Sequence, residues 1–299
     1  MNNMTSNKYF SFIEEFKNNF DDKMPSLEIL KEKIYEGSEI LDLSEIRPDV
    51  YQYVLGIKKR LCNNLYSSSI RAYLCQEDEI VLVGKDDRSR QESNYALIRG
   101  KDIKDIYCWA GNARNDGHLN EFINNTDGYI PNSVYHIENV SYKTDSIGRV
   151  CRTYERHTTK RATDRDDARG DLSKIAKSKG GMNGAVGGHI VAHSIDGPME
   201  AINILPMDNT FNNKGDWKEM ENLFKKEYQA DRDFDVRRII NYQDHTQIPS
   251  KIDVNAIIQG EYKSWSFELQ KTHNTLARLP ETSYLCERNQ KHSHKSPYG

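Results

Sequence analysis

The sequence lacks long apolar runs, closely spaced cysteines and a strong excess of one charge. Its 299 residues contain no stretch of about 18 apolar residues, and the mean hydropathy is −0.82, so no membrane-spanning helix is expected. The N-terminus has no basic region followed by an apolar core, so a classical signal peptide is not expected. The five cysteines are scattered without a C-x-x-C pair. This pattern argues against a disulfide framework or a cysteine zinc site and favours a reducing compartment.

The formal net charge of −3 does not by itself indicate a nucleic-acid-binding protein. The charge is uneven, however, because residues 148–180 contain six arginines and four lysines against five acidic residues, a local net charge of +5. A segment of this kind can attract a polyanion, although a solvated loop of mixed charge is the competing interpretation.

The first third of the chain shows helical patterns. Apolar residues recur at spacings of three and four over residues 10–20, 26–35 and 51–65. Short apolar runs at 80–84 and 95–99 instead predict strands. We therefore predict a largely helical N-terminal region.

The stretch 112–132 is rich in Asn, Asp and Gly and is interpreted as a long loop or linker. It predicts a division into an N-terminal region of unknown role over residues 1–120 and a second domain over residues 130–299. Within the second domain, residues 133–142 and 149–158 have the composition of strands.

Three segments further along predict a ββα unit. The run His189–His193 is apolar between its two histidines and follows two glycines, which favours a half-buried strand, and Asn203–Met207 is a second extended run. Residues 217–228 form an amphipathic helix pattern. Its apolar stripe consists of Trp217, Met220, Leu223, Phe224 and Tyr228.

The residue types in this unit suit phosphodiester hydrolysis. A neutral imidazole can take a proton from water, and an asparagine carbonyl is a hard oxygen ligand that leaves most of a magnesium shell as water. A carboxylate can hold a metal-bound water, and an arginine can stabilise the charge that develops on phosphorus. If the helix already includes Asn213, this residue and Glu221 lie about 80° apart and share one face, whereas Asn212 does not.

Residues 188–192, 203–207 and 213–221 resemble the DNA/RNA non-specific endonucleases of the ββα-metal, or His-Me finger, superfamily, and most closely the branch found as bacterial polymorphic toxins. The resemblance extends over residues 149–267, because 234–242 and 252–258 fit the strand pair that follows the family's helix. It implies an α+β protein in which a helical N-terminal region precedes a nuclease domain with an antiparallel sheet.

The resemblance also implies roles for single residues. His189 corresponds to the general base, Glu221 to the supporting carboxylate that contacts the metal through water, and Asn203 to the first asparagine of the motif. Asn213 corresponds to the ligand of Mg²⁺ or Mn²⁺, with Asn212 as the alternative because the two adjacent asparagines leave the register open. Arg161 is favoured over Arg156 as the arginine that stabilises the transition state.

This sequence departs from the family at two positions. The family motif is often Asp-Arg-Gly-His, and here Val186 and Gly187 replace its acidic and basic residues. No role is therefore assigned to these two positions.

Two other function classes remain open. His189 and His193, with Glu200 downstream, are a candidate zinc site of a metallohydrolase, but Ile190 stands where the H-E-x-x-H motif has its glutamate. A catalytically inactive nucleic-acid-binding protein on the same fold is the second alternative.

We expect a metal-dependent endonuclease with little base specificity that hydrolyses DNA, with RNA as a further candidate substrate. By resemblance, it would be a bacterial toxin or defence effector paired with an immunity protein that blocks the site. No membrane partner is expected. The expected location is the cytoplasm, or the outside of the cell after export by a secretion system that needs no signal peptide.

Overall fold

The structure is a computed structural model that describes residues 8, 10–15, 24–40, 69–85, 92–99, 105–110, 129–158, 172–180, 185–243 and 245–269. Near the N-terminus, residues 10–15 are helical, and we call them the N-terminal helical segment. Helix α1 (Leu27–Glu36) follows, and the Ser26 hydroxyl caps it by accepting a hydrogen bond from the Ile29 amide at 3.3 Å. The helix predicted at 26–35 is confirmed.

The prediction of a largely helical N-terminal region is wrong for the described residues. Five strands lie between residues 38 and 110: β1 (Ser38–Glu39), β2 (Ser69–Leu74), β3 (Ile80–Lys85), β4 (Glu92–Arg99) and β5 (Asp105–Ala110). The strands predicted at 80–84 and 95–99 are among them. The helix predicted at 51–65 lies outside the described residues.

Strand β3 is one continuous apolar run because both of its faces are buried. Val81 and Val83 pack with α1 on one face of the sheet, while Ile80 and Leu82 join the main core on the other. Since both faces are covered, apolar residues occupy successive positions and no polar alternation remains.

The sheet continues through the C-terminal half of the chain. It adds β6 (Val134–Ile137), β7 (Val140–Thr144), β8 (Val150–His157), β11 (Phe234–Asn241), β12 (Lys251–Ile258) and β13 (Glu261–Glu268). The order of the eleven strands is β1-β2-β3-β4-β5-β6-β7-β8-β11-β12-β13, and the pairs are antiparallel except for the parallel pair β5–β6. The strands predicted at 149–158, 234–242 and 252–258 are confirmed.

One sheet and one main core thus include both predicted regions. Ile80, Leu82 and Ile106 of the first region belong to the same buried cluster as Ile190 and Ile202 of the second. The division into residues 1–120 and 130–299 stays a prediction.

One face of the C-terminal part of the sheet is covered by a second layer. This layer contains α2 (Leu172–Ser178), β9 (Val186–His189), β10 (Ile204–Met207), α3 (Asn209–Asn213) and α4 (Gly215–Gln229). Trp217 and Phe224 of α4 are at most 1% exposed and pack with Val236 and Ile252 of the sheet. The burial of each such aromatic side chain stabilises the fold by roughly 1.5–3 kcal/mol. The predicted amphipathic helix is therefore confirmed, and its two largest aromatic side chains lie in the core.

We call the opposite face of the C-terminal part of the sheet the outer face. Residues alternate along a strand, so Arg152, Tyr154 and Arg156 of β8 project there together. The N-terminal helical segment lies on this face, where Phe12 is buried against Tyr154. Within the described part of the chain, no helix is long and apolar enough to cross a membrane.

A buried ion pair links two neighbouring strands on the inner face. Arg238 Nη1 lies 2.8 Å from Glu155 Oε1, without the aligned geometry of a hydrogen bond, and both side chains are at most 2% exposed. Burial alone would raise the pKa of Glu155, but the Arg238 guanidinium and His157 hold this pKa below its usual value. The pair therefore stabilises the fold above the unfolded-state pKa of the carboxyl group, and this contribution is lost as the pH falls through the lower folded-state pKa.

Replacing Glu155 by Leu alone should lower the unfolding free energy at pH 7 by about 3–5 kcal/mol, because the Arg238 charge stays buried without its partner. Adding Arg238→Met should restore stability to within about 1 kcal/mol of the wild type or above it. Urea unfolding measures both values. Glu261→Leu, which breaks the exposed pair with Lys263, is the matched control and should change stability by less than about 1 kcal/mol. A double variant as unstable as the single variant would contradict this account.

Candidate active site

His189 is the last residue of β9, and two glycines before it allow neighbouring elements to approach. A Cβ atom at Gly187 would lie 2.4 Å from the Leu172 carbonyl oxygen of α2. A Cβ atom at Gly188 would lie 2.2 Å from Met207 Sδ of β10 and 2.7 Å from Asn212 Oδ1 of α3. Glycine is thus required at Gly187, where the α2 backbone is close, whereas a larger residue at Gly188 would displace the side chains of Met207 and Asn212.

The strand predicted over residues 189–193 ends at His189. Its register with β10 stops at the pair His189 and Ile204, and His193–Ile195 forms a 3₁₀ turn. The turn tightens further at Gly197, where a Cβ atom would lie 1.8 Å from the Val191 carbonyl oxygen. The apolar residues between the histidines are buried in a loop rather than in a strand.

The side chain of Asn203 holds this loop. Its Oδ1 accepts a hydrogen bond from the Val191 amide at 2.9 Å, and its Nδ2 donates to the carbonyl oxygens of Val191 at 2.9 Å and Pro198 at 2.8 Å. Asn203 is fully buried. These contacts fix both ends of the segment that follows His189, and they leave the amide facing backbone rather than solvent.

Two contacts that sequence reasoning missed brace the same region. Lys179, just after α2, donates through Nζ to the carbonyl oxygens of Ala201 at 2.5 Å and Ile204 at 2.6 Å, on either side of Asn203. Burial lowers the pKa of Lys179 to about 7. The only sequence signal for this lysine is its place at the end of the basic segment, just before the glycine-rich stretch.

The second contact connects the loop to α4. Tyr228, near the end of α4, donates a hydrogen bond from its hydroxyl to Asp196, and both residues are buried. Asp196 has a left-handed backbone with φ of 65°, a conformation that aspartate adopts more readily than most residues. A sequence pattern offers no signal for a contact between residues 32 positions apart.

The His189 ring is half-buried and lies beside two neighbours. Its Nε2 is 3.1 Å from Met199 Sδ, and its centroid is 6.1 Å from that of His193 at an interplanar angle of 28°. A thioether sulfur is a weak hydrogen-bond acceptor, so this contact holds the imidazole only loosely.

The helix assumed over residues 213–221 is broken. Helix α3 begins after Asp208, whose carboxylate caps it, and ends at Asn213. Lys214 then has an extended backbone with φ of −144° and ψ of 166°, and α4 begins at Gly215. Asn213 and Glu221 therefore belong to different helices, and the helical phase that favoured Asn213 over Asn212 does not apply.

The two asparagines have different surroundings. Asn213 is exposed, and its Nδ2 donates to Asn209 Oδ1 at 2.7 Å and to the Asn209 carbonyl oxygen at 3.1 Å. Asn212 is half-buried, and its Oδ1 lies against the backbone of Gly188. Since consecutive Cα atoms are about 3.8 Å apart, this oxygen lies close to the backbone of His189.

Glu221 lies on the buried side of α4, with 9% of its surface exposed. Its Oε2 accepts a hydrogen bond from Lys218 Nζ at 2.9 Å. Arg161 lies outside the described residues. Arg156, its alternative, lies on the outer face, where its Nε donates to Asp235 Oδ1 at 2.9 Å. The structure thus places the Asn203 side chain against the loop that follows His189 and Asn212 Oδ1 against Gly188, and it places Arg156 on the other side of the sheet.

The donors fit a hard cation better than zinc. In the part of the chain that the structure describes, no three or more His, Cys, Asp or Glu side chains form a group that could hold a metal ion. His189 and His193 lie on a strand and a 3₁₀ turn, not on one helix face as the zinc motif requires. The single amide oxygen of Asn212 fits a magnesium ion that keeps most of its water ligands.

Comparison with known proteins bears on the same region of the chain. Residues 131–260 match the protein-family model described as DNA/RNA non-specific endonuclease. No curated protein matches the chain. Among solved structures, the chain is similar to NucA from Streptococcus agalactiae with no metal bound, at 13% sequence identity and a TM-score of 0.34, over 60% of this chain and 80% of that one.

The family match contains the second layer from α2 to α4 and the strands β6, β7, β8, β11 and β12. It begins before the predicted start at residue 149 and ends before the predicted end at 267. Residues 131–260 thus carry the match to the DNA/RNA non-specific endonuclease family, and a nuclease is the function that this match supports.

Proposed function

We propose that residues 131–260 hydrolyse phosphodiester bonds in DNA, with RNA as a second candidate substrate and with little base specificity. The observation that carries this proposal is the position of Asn212, whose amide oxygen lies against Gly188, the residue before His189. A hard oxygen ligand against Gly188 and an imidazole on the next residue of β9 are the two kinds of group that metal-assisted attack of water on phosphorus requires.

His189 acts as the general base. Its imidazole takes a proton from water, and the resulting hydroxide attacks phosphorus while the bond to the leaving oxygen breaks. The contact with Met199 is loose enough for Nε2 to exchange the sulfur for a water molecule. The half-buried ring stays accessible on one side, as a base that must reach solvent water requires.

Asn212 replaces Asn213 as the residue that would hold the metal ion, and Glu221 would hold one of the ion's water ligands. The ion, Mg²⁺ or Mn²⁺, neutralises charge on the scissile phosphate and the leaving oxygen when it is bound. Lys218 Nζ pairs with the Glu221 carboxylate at 2.9 Å. Asn203 contributes by positioning, because its hydrogen bonds end on the backbone of the His189 loop.

The arginine that stabilises the transition state remains Arg161 in this proposal. The alternation of β8 directs Arg156 to the outer face and into its pair with Asp235, which favours a residue of the basic segment downstream of β8. Removing Arg161 should slow cleavage without changing metal affinity.

The biological role that we propose is that of a bacterial toxin or defence effector with a cognate immunity protein. It is supported by the resemblance of residues 188–192 and 203–207 to the toxin branch of the family. A catalytically inactive binding protein is the alternative, and the catalytic measurements below distinguish the two.

His189→Ala should lower the rate of plasmid cleavage in magnesium by about 10²–10⁴-fold, the usual contribution of a general base. Cleavage followed on agarose gels under single-turnover conditions measures the loss. His193→Ala is the matched control, since it removes the neighbouring ring 6.1 Å away, and it should retain activity within about tenfold of the wild type. Equal cleavage by the wild type and His189→Ala would show that the catalytic assignment is wrong.

Asn212→Ala should weaken the binding of Mg²⁺ at least about tenfold, whereas Asn213→Ala should leave it nearly unchanged. The side chain of Asn213 is exposed and turned back to Asn209, so its loss removes no ligand. Calorimetric titration of the metal, without nucleic acid, measures both affinities. The reverse order of effects would restore Asn213 as the ligand.

A further inference from the structure

The outer face carries a cluster of donors around one carboxylate. Glu15 of the N-terminal helical segment accepts hydrogen bonds from Arg152 Nη1 at 2.5 Å, Tyr154 Oη at 2.9 Å and Arg237 Nη1. The two arginine side chains are only 15% and 13% exposed. Two guanidinium groups and a hydroxyl that converge on one anion form an arrangement that also suits a phosphate group.

An aromatic ring lies one helical turn before this carboxylate. Phe12 is 1% exposed and meets Tyr262 edge-on, with 6.2 Å between the ring centroids. The Arg237 guanidinium carbon lies 5.4 Å from the centroid of the Phe12 ring. Phe12 thus contacts an edge-on tyrosine and a guanidinium, and a nucleic-acid base, which also presents a flat π-face, can make the same two contacts.

Phe12 and Glu15 lie three residues apart on one helix, so their side chains are neighbours on the same helix face. They present a ring and an anion side by side, which is the chemistry of a base and its phosphate. We propose that Arg152, Tyr154, Arg237 and Tyr262 form a nucleotide-binding site on the outer face, which Phe12 and Glu15 occupy in this structure. We call these four residues the outer-face site.

A groove continues from the outer-face site along β11, β12 and β13. Its volume is about 660 Å³. On the sheet side it is lined by the polar side chains of Asn255, Ser264 and Ser266 and by Ile239 and Trp265, whereas Lys8 and Ser11 border it only while the N-terminal helical segment is in place. The polar groups of the sheet give a neighbouring nucleotide hydrogen-bond partners.

The acidic residues nearby already have cations of their own. Asp253 borders the groove and lies 3.1 Å from Lys251 Nζ, and Asp235 is paired with Arg156. Removal of Glu15 would therefore take away the carboxylate that pairs with Arg237, and an incoming phosphate can take its place.

The outer-face site is separate from the candidate active site, because α4 and the His189 loop lie on the other side of the sheet. It binds a nucleotide unit, either within a single strand or as a free mononucleotide. The N-terminal helical segment must leave before the ligand binds. The apparent affinity of the intact chain is therefore the affinity of the open site multiplied by the fraction of molecules in which the segment has left.

Binding of a labelled oligothymidylate to the full chain carrying His189→Ala, in a metal chelator, tests the proposal without cleavage. Fluorescence anisotropy should show that Glu15→Ala binds about tenfold more tightly than Glu14→Ala. Glu14 is the matched control, because it is the exposed neighbour and its replacement changes the net charge equally. The plot of log affinity against log salt should steepen by about 0.7 for the one phosphate contacted.

Two further measurements test whether the outer-face site is responsible and whether a free nucleotide or a strand is the ligand. Adding Arg237→Gln to Glu15→Ala should abolish the gain in affinity. Competition by thymidine monophosphate shows that a free nucleotide suffices, whereas competition by oligomers alone shows that the strand is the ligand, and either result supports the proposal. Equal affinities of Glu14→Ala and Glu15→Ala overturn it.

Binding of a peptide with the sequence of residues 8–15 but of no nucleotide would also overturn the proposal, since the site would then recognise protein. Thermal unfolding checks that Glu15→Ala folds. If Glu15→Ala does not fold, Phe12→Ala serves instead. It removes the ring that contacts Tyr262 and Arg237, and it should raise the affinity for the oligothymidylate. Failure of both variants to fold would show that the two residues are structural and would contradict the proposal. Because cleavage plays no part in these measurements, their failure leaves the proposed nuclease activity unaffected.

Discussion

The buried amide of Asn203 is the contact on which the geometry of the site depends. It bonds to the backbone at Val191 and Pro198, so it sets where β9 ends and where the His189 loop begins. Lys179 binds the carbonyl oxygens of Ala201 and Ile204 on either side of it and connects this anchor to α2. Such a fully paired polar group in a dry environment defines one loop conformation, because any alternative leaves buried donors and acceptors without partners.

The proposed metal ligand is positioned by a different kind of contact. Phe211 of α3 packs against Trp217 of α4 and Phe267 of β13, with ring centroids 5.3 Å and 5.8 Å apart. This aromatic cluster anchors α3 although its helical hydrogen bonds are interrupted at Lys214. Asn212 follows Phe211 directly, and its amide oxygen fills the space that Gly188 leaves open. The break between α3 and α4 thus helps to place the Asn212 side chain against β9.

The sequence predicted the elements whose patterns are local. The apolar stripe of α4 identified this helix because one face of it is buried, and β11 and β12 were expected from the strand pair of the resembling family. The strands β2 and β5 were missed, and the N-terminal region was wrongly predicted to be largely helical, because strand pairing depends on distant partners. In the proposed site, His189 was assigned from its motif, and this assignment stays a prediction. The choice between Asn212 and Asn213 could not be made from the sequence, since it depends on an extended backbone at Lys214 and on packing against Gly188, and neither leaves a periodic signal.

The central claim is that a metal ion held by Asn212 lies beside the imidazole of His189. Paramagnetic broadening by Mn²⁺ tests it most directly, because the effect falls steeply with distance and needs no catalysis. On titration of Mn²⁺ into the chain with a ¹⁵N-labelled histidine, the ring signals of His189, assigned with His189→Ala, should broaden before those of His136 and His157. Asn212→Ala should abolish this early broadening, whereas Asn213→Ala should not. Broadening of His189 that is unchanged in Asn212→Ala, or absent in the wild type, would contradict the account.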